Sequence, residues 1–349
     1  MLPLPLPLFP LAALALVGGL LSGCAVPSSS AADRGRIAGR TYVVTGASSG
    51  LGRGVAVRLG ALGANVVLAA RRAELLERVA AEVRAGGGQA LVVPTDVSDP
   101  AAVERLARAA VGRFGRIDVW INNAAVASIG RFEEVPLEDH MRIVDVNLKG
   151  AIAGSHAALR QFRAQGGGTL VNIASVEGRV PVAYHASYAA TKAALLGLGA
   201  AINEEMRLAR TTTIKVASVL PWAVDTPYWL HAGNYTGREA RMMMMDAPED
   251  VAEAIVRVSV DPVREYAVGW KAQAAVLGGQ VWPALAQQLA GSAVQKSQME
   301  DGPPSPVTSG NVHRPVARGA GESGGMRERM REEDAGGQAG PVPGAEGAR

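Results

Sequence analysis

The sequence predicts an α/β fold in which a doubly wound parallel sheet carries helices on both faces. Short apolar runs alternate with longer amphipathic segments from residue 39 to about residue 296, and a glycine-rich turn follows the first apolar run. Alternating strands and helices favour parallel pairing and right-handed crossovers. These two observations predict one domain over residues 39–296.

The strands are assigned to apolar runs, because strands of a parallel sheet are buried on both faces and are nearly continuously hydrophobic. The runs cover residues 41–45, 65–69, 90–94, 118–122, 169–173 and 214–219. Helices are predicted between them, at residues 50 to about 60, 73–85, 100–114, 137–165 and 188 to about 210. Leu76, Val79 and Val83 recur at helical spacing, and Pro100 suits a first helical turn. The order of elements is that of a Rossmann-type domain.

Residues 1–25 contain an apolar run that ends at Cys24, the only cysteine of the chain. Residues 21–24, Leu-Ser-Gly-Cys, resemble the lipobox of bacterial lipoproteins, although no positive charge precedes the run as it does in most secretory leaders. Arginines follow the run instead, at Arg34, Arg36 and Arg40, which favours a cytoplasmic location for the domain. We therefore expect membrane association, at the cytoplasmic face in preference to a periplasmic lipoprotein. A leader with neither role is the third interpretation.

The segments on either side of the domain are predicted to be irregular, and the composition argues against several other classes of function. Residues 26–38 are predicted to be a linker, and residues 297–349, rich in Gly, Pro, Ser and charge, a disordered tail. A single cysteine excludes an intrachain disulfide. The formal net charge of +3 gives no support for nucleic-acid binding, and the histidines and acidic residues show no spacing typical of a metal site.

The glycine-rich turn, residues 45–52 (TGASSGLG), joins a buried strand to a helix. Glycine at Gly46, Gly50 and Gly52 permits a tight turn and a close approach of the backbone to a ligand. The unpaired N–H groups and the dipole at the start of the helix then favour an anion such as a pyrophosphate. The turn therefore predicts a dinucleotide site.

A second group of residues points to proton transfer. Tyr188 and Lys192 are four positions apart on a predicted helix, so they share one face. A free phenol has a pKa near 10, and a nearby cation favours the phenolate. Ser175 ends the fifth strand at the edge where open α/β sheets bind ligands, and its hydroxyl can stabilise charge on a substrate oxygen.

These motifs together resemble the classical short-chain dehydrogenase/reductase family over about residues 40–264. The resemblance implies a catalytic group of Asn147, Ser175, Tyr188 and Lys192, in which Tyr188 is the acid or base, Lys192 tunes it and holds the nicotinamide ribose, and Asn147 supports a proton-relay water. Asn122-Asn123-Ala124-Ala125 matches the family's Asn-Asn-Ala-Gly except at the last position, and Asp96-Val97 matches its adenine contact. The residues expected to contact the cofactor are Gly46, Ser48, Ser49, Gly50, Leu51, Arg71, Arg72, Asp96, Val97, Asn123, Ala124, Ala125, Tyr188, Lys192, Pro221 and Thr226.

The end of the second strand favours NADP(H) over NAD(H). An NAD enzyme needs an acidic side chain there for the ribose diol, but the chain has Ala70 followed by Arg71 and Arg72. A guanidinium can pair with a 2′-phosphate through two hydrogen bonds. If both arginines are simply solvated, the enzyme would accept both cofactors.

The sequence departs from the family pattern after the sixth strand, where Pro221 is followed by Trp222 in place of glycine. With Tyr228 and Trp229, this ring predicts an apolar substrate pocket, or else a loop that partly blocks the pocket. The expected function is NADP(H)-dependent interconversion of a carbonyl and an alcohol on a hydrophobic substrate. The alternatives are an NAD-linked alcohol dehydrogenase and a non-catalytic NADP-binding scaffold. The family resemblance also implies a homo-oligomer.

Overall fold

A seven-stranded parallel sheet lies at the centre of the computed structural model, which describes residues 31–334. The strands are β1 (Thr41–Thr45), β2 (Asn65–Ala70), β3 (Gln89–Pro94), β4 (Val119–Asn122), β6 (Gly168–Ile173), β7 (Ile214–Leu220) and β9 (Glu265–Ala267), in the spatial order β3-β2-β1-β4-β6-β7-β9. A separate pair, β5 (Ser128–Ile129) and β8 (Gly233–Asn234), forms a small parallel ladder. The doubly wound Rossmann-type sheet predicted from the sequence is confirmed.

Helices cover both faces of this sheet. In chain order they are α1 (Ala31–Ile37), α2 (Gly50–Ala61), α3 (Ala73–Ala85), α4 (Pro100–Phe114), α5 (Leu137–Val144), α6 (Gly150–Gln165), α7 (Ala186–Leu208), α8 (Tyr228–His231), α9 (Pro248–Val260), α10 (Gly269–Val281), α11 (Pro283–Val294) and α12 (Met326–Asp334). A π-helical turn, Asp145–Lys149, interrupts the predicted helix over residues 137–165 and separates α5 from α6.

The core has two halves because successive strand residues point to opposite faces. Val44 belongs to the cluster under α2, α3 and α9, whereas its neighbour Val43 belongs to the cluster under α4, α6 and α7. Both valines are fully buried, and burial of such a side chain stabilises the fold by roughly 1.5–3 kcal/mol. Because both faces of these strands are apolar, helices must pack on both sides of the sheet to bury them.

The strand order positions the ligand cleft. The chain passes from β1 outward to β2 and β3, then returns to the other side of β1 to form β4, β6 and β7. A cleft opens where the connections diverge, beyond the carboxyl ends of β1 and β4. The loops that leave β1, β2, β4, β6 and β7 consequently meet at one edge of the sheet.

The turn after β1 is shaped by close contacts of glycine. Gly46 has φ +69° and Gly50 has φ +55°, a region that side chains disfavour. A Cβ added to Gly52 would lie 2.3 Å from the carbonyl oxygen of Gly46. The backbone can therefore adopt this turn at the start of α2 only with glycine at positions 46, 50 and 52.

The described parts of the predicted linker and tail, residues 31–38 and 297–334, are ordered. Ile37, at the end of α1, is fully buried, and Arg36 forms an ion pair with Asp261 at 2.7 Å, so part of residues 26–38 is an ordered helix. Residues 297–334 are folded against the domain, with Val312 and Met326 almost completely buried. This packing could not be predicted from the sequence, because isolated apolar residues between glycines and prolines show no periodicity.

The predicted lipobox and Cys24 lie outside the described residues, as do residues 335–349. Among residues 31–334, no helix combines the length and apolarity needed to span a bilayer. Membrane association through the N-terminus stays a prediction.

Substitution of glycine by alanine should have opposite effects at two helical positions. Gly52→Ala should destabilise the protein by roughly 1–3 kcal/mol, since the added methyl group meets the Gly46 carbonyl. Gly112→Ala, at an exposed position of α4 with no atom within 4 Å of the added Cβ, should stabilise it by roughly 0.5–1 kcal/mol. Denaturant midpoints of the two variants and the wild type would test this. Equal destabilisation by both changes would contradict the close contact at Gly52.

Candidate active site

Tyr188, Lys192 and Ser175 meet at the carboxyl edge of the sheet. Tyr188 and Lys192 lie one turn apart on α7, with the Lys192 Nζ 5.3 Å from the centre of the Tyr188 ring. Ser175 follows β6, and its side chain is hydrogen-bonded to Tyr188. The Ser175 Oγ also accepts a 3.1 Å hydrogen bond from the backbone N–H of Glu177, which fixes the serine at the start of a short 3₁₀ turn.

Lys192 is buried and is held by the sheet. Its Nζ donates a 2.6 Å hydrogen bond to the backbone carbonyl of Ile173, and only 3% of the residue is exposed. Burial lowers the pKa of Lys192 to about 8, because a charged amine is less well solvated there than in water. The amine therefore carries its charge at neutral pH, close to its titration range.

Asn147 lies in the π-helical turn between α5 and α6, a type of irregularity that is frequent at functional sites. Its Oδ1 accepts a 2.8 Å hydrogen bond from the N–H of Val126, and its Nδ2 donates to the carbonyl of Val126 at 2.9 Å and to the hydroxyl of Thr191 at 3.3 Å. Asn147 thus ties the loop after β4 to α7. It does not line the cavity described below.

Two further residues lie near Tyr188: Tyr228, which the sequence placed in the substrate pocket, and Glu177, which it did not predict as a site residue. Tyr228 lies with its ring centre 5.6 Å from that of Tyr188, and the two side chains are hydrogen-bonded. Glu177 lines the cavity and is paired with the buried His185 at 3.1 Å. Glu177 follows Ser175 by two positions, so its place in the same loop was the only signal available in the sequence.

Burial and the charge of Glu177 set the pKa values of Tyr188 and His185. Burial raises the pKa of Tyr188, and the negative charge of Glu177 raises it further. For His185, burial alone would lower the pKa, but the Glu177 carboxylate outweighs it and the pKa is raised. The phenol is therefore protonated at neutral pH, which suits proton donation.

A continuous cavity of about 700 Å³ runs along this edge. Every residue predicted from the sequence to contact a cofactor lines it, as do Ser175, Tyr188 and Lys192. One end lies at the turn after β1 and the end of β2, and the other at Trp222 and α11. The fold thus brings together residues that are far apart in the chain.

Arg71 and Arg72 form the cationic end of the cavity. Both are half-buried, and Arg72 Nη2 donates to the hydroxyls of Ser48 at 3.1 Å and Ser49 at 2.7 Å. Burial lowers the pKa of each guanidinium, which nevertheless stays charged because an arginine titrates far above neutral pH. Ala70 precedes them, so no carboxylate stands at the end of β2.

Asp96 lies on the adjacent wall and is paired with Arg142 at 2.6 Å. Burial alone would raise the pKa of Asp96, but hydrogen bonds from Ser98 and Arg142 outweigh it and lower the pKa. The carboxylate is therefore ionised at neutral pH and already satisfied by protein donors.

The opposite end of the cavity is apolar. Trp222, Tyr228 and Trp229, expected to surround the substrate, all line it, together with Met242, Met243 and Met244 and with Trp282, Leu285 and Leu289 from the region of α11. Trp229 also donates from its Nε1 to the carbonyl of Val224 at 2.9 Å and is packed in the core, so it has a structural role as well.

The family model for short chain dehydrogenases matches residues 40–233. The chain belongs to this family. The short-chain dehydrogenase is 34% identical over 270 residues to the "Uncharacterized oxidoreductase YxnA" of Bacillus subtilis (strain 168), with 76% of each chain covered. It is 36% identical over 235 residues to 3beta-hydroxysteroid dehydrogenase 1 of Eggerthella lenta, covering 64% of this chain and 87% of the relative.

A solved structure gives the same result at the level of the fold. The short-chain dehydrogenase is similar to an alcohol dehydrogenase from the archaeon Thermococcus sibiricus complexed with 5-hydroxy-NADP, with 26% identity and a TM-score of 0.56. The match covers 64% of this chain and 92% of the archaeal one. The protein is an oxidoreductase of this family, acting on CH–OH groups with a nicotinamide cofactor.

The pH profile of alcohol oxidation should respond to Glu177. Its negative charge raises the pKa of Tyr188, so Glu177→Gln should lower that pKa and move the rising limb of kcat/KM to lower pH. The profile would be measured with the best alcohol from a substrate panel. Glu134→Gln, which removes an exposed carboxylate, is the control and should leave the profile in place. An unshifted limb in Glu177→Gln would show that its charge does not reach the phenol.

Proposed function

We propose that this short-chain dehydrogenase is an NADP(H)-dependent oxidoreductase that interconverts a carbonyl and an alcohol on a hydrophobic substrate. The observation that carries the proposal is the single cavity that leads from Arg71 and Arg72, past Tyr188 and Lys192, to an apolar end at Trp222. The arginines suit a phosphorylated nucleotide, Tyr188 and Lys192 suit proton transfer, and the apolar end suits a hydrophobic substrate.

The residues fit a nicotinamide dinucleotide. Gly46 and Gly50 line the cavity without side chains, so a pyrophosphate can approach the protein backbone there, and α2 begins at this point with its N-terminus toward the cavity. Lys192 provides a buried cation beside the reacting end. When bound, the cofactor supplies the hydride in reduction and accepts it in oxidation.

Tyr188 is the proton donor in reduction. Its pKa is raised by burial, so the hydroxyl holds a proton that it can give to the oxygen of the nascent alkoxide. Ser175, beside Tyr188, can donate its hydroxyl proton to the alkoxide oxygen as well. This second hydrogen bond, added to the one from Tyr188, would stabilise the negative charge of that oxygen. In oxidation Tyr188 accepts the proton, and the charges of Lys192 and of the oxidised nicotinamide both favour its phenolate form.

Asn147 supports this group from a distance, because its side chain fixes the loop after β4 and contacts Thr191, which lies between Tyr188 and Lys192 on α7. We assign it a positioning role. Its part in a proton relay remains an expectation from the family resemblance.

The preference for NADP(H) is supported by charge. Arg71 and Arg72 place two cations at the end of β2, and Ala70 provides no acid to bind an unphosphorylated ribose. A solved relative was crystallised with an NADP derivative. A hydrophobic substrate is supported by the aromatic and methionine lining, and by the name of one relative, a hydroxysteroid dehydrogenase.

Removal of the Tyr188 hydroxyl should abolish turnover. Tyr188→Phe should lower kcat by about 10²-fold or more, the usual contribution of a general acid, with little change in the Kd for NADPH. Tyr184→Phe is the matched control, since Tyr184 is hydrogen-bonded to Gln295 and does not line the cavity. Turnover and fluorescence titration of NADPH would be compared in the three proteins. NADPH binding without turnover of any carbonyl by the wild type would favour a non-catalytic scaffold.

Discrimination between the cofactors should depend on Arg71. Arg71→Ala should weaken NADPH binding by roughly 1.5–3 kcal/mol, the range for hydrogen bonds to a charged group, and NADH binding much less. Arg71→Gln is the milder replacement, because the glutamine side chain keeps hydrogen-bond donors but carries no positive charge. Equal losses for the two cofactors would argue against recognition of the 2′-phosphate and for an NAD-linked enzyme.

A further inference from the structure

A segment near the C-terminus crosses the mouth of the nucleotide cleft. We call residues 309–325 the strap. On one side of the cleft, Arg71 donates from Nη2 to the carbonyl of Asn311 at 2.6 Å and from Nη1 to that of His313 at 3.0 Å. Arg72 donates from Nη1 to the carbonyl of Val316 at 3.1 Å. The cationic end of the cavity is thus bonded to the strap.

The strap also contacts the turn after β1 and the loop after β7. The N–H of Gly50 donates to the carbonyl of Gly321 at 2.8 Å. His231 bonds through Nε2 to the carbonyl of Arg318 at 2.9 Å, and its own carbonyl accepts from the N–H of Asn311 at 2.7 Å. Since His231 follows β7 and Arg71 follows β2, the strap joins elements from the two sides of the cleft.

Side chains anchor the strap at several points. Val312 is fully buried, His313 is paired with Asp139 at 2.7 Å, and Glu322 is paired with Arg58 at 2.7 Å. Beyond the strap, the N–H of Met326 donates to the Asp225 carboxylate at 2.8 Å. These anchors lie outside the residues that would hold the nucleotide, so the strap can be loosened without altering those residues.

The fit of the strap on His231 requires glycine. Gly319 has φ +75°, and a Cβ there would lie 2.6 Å from the Nε2 atom of His231. Gly310 has φ +56°, and a Cβ there would lie 2.1 Å from the carbonyl oxygen of His231. The backbone of the strap is therefore closely matched to this side of the cleft.

We propose that the strap is part of the nucleotide-binding site and closes the cleft over the adenosine half of the cofactor. Asn311 and Pro315 line the same cavity as Gly46, Arg71 and Asp96, so the strap forms a wall of that cavity and leaves the space beneath it open. A dinucleotide bound in this space would have the strap over its adenosine half, so the strap would slow both its entry and its release. The proposal rests on the nucleotide binding proposed above.

The arginines can serve the strap and a phosphate together. A guanidinium has five N–H donors, and the contacts of Arg71 with Asn311 and His313 use two of them. The donors that remain can bind the 2′-phosphate, while the carbonyls of the strap fix the orientation of the side chain. The strap thereby acts as a positioning element for Arg71, and the phosphate in turn strengthens the closed arrangement.

Stopped-flow measurement of NADPH dissociation from the full-length protein would test the proposal. In Gly319→Ala, the clash with His231 should lift the strap, and NADPH chased by excess NADP⁺ should leave about tenfold faster or more, because changes at an interface act mainly on dissociation. The double variant Val312→Ala/His313→Ala, which removes two anchors, should show the same acceleration.

Gly87→Ala is the matched control. Gly87 has φ +99° and an added Cβ would meet no atom within 4 Å, so this change brings similar backbone strain far from the strap. Its dissociation rate should equal that of the wild type. Unchanged rates in both strap variants would overturn the proposal.

Hydrogen exchange provides a second measurement that does not depend on a variant. Saturating NADPH should slow exchange of the amides in residues 309–325, and unchanged exchange there would contradict closure of the strap over the nucleotide. Protection confined to the turn after β1 would mean that the nucleotide binds without the strap. A wild-type protein that binds neither NADPH nor NADH would overturn the proposed function itself, and the strap's role with it.

Discussion

The close contact between the turn after β1 and the loop after β4 is the constraint on which the site depends. A Cβ on Gly46 would lie 2.8 Å from the Cα of Ala124, and the Asn123 side chain donates to the carbonyl of Thr45 at 2.9 Å. The Thr45 hydroxyl accepts from the N–H groups of Asn123 and Ala124 at 3.0 and 3.1 Å. These bonds hold the two loops together at the point where the strand order reverses. The loops form the base of the cleft, so the shape of that base is defined before any ligand binds.

Buried charge controls the chemistry above that floor. Lys192 and Glu177 lie close to the buried phenol of Tyr188; Lys192 is held by the carbonyl of Ile173, and Glu177 is paired with His185. In a medium of low polarity such charges act on one another more strongly than they would in water. The pKa of Tyr188 is therefore raised by its burial and by the charge of Glu177 in the loop after β6.

The two ends of the cavity are built differently. The nucleotide end is bounded by arginines, glycine backbone and the strap, which contributes mainly carbonyl groups. The substrate end is bounded by aromatic rings, methionines and α11, where Trp282 is 66% exposed and Leu289 is 63% exposed. The cavity therefore offers charged and polar groups at one end and apolar surface at the other.

Sequence patterns were sufficient to predict the sheet, the glycine turn, the shared helix face of Tyr188 and Lys192 and the place of Ser175 at a strand end, because each depends on short-range burial, backbone conformation or helical spacing. Three features could be found only in the folded chain: the pairing of Glu177 with His185, the contact of Tyr228 with Tyr188, and the packing of residues 297–334, where disorder was expected. Arg71 and Asn311 are 240 positions apart, and their bond joins a guanidinium to a backbone carbonyl that every residue type carries. A contact of that kind leaves no trace in composition or periodicity, so it becomes visible only when the chain is folded.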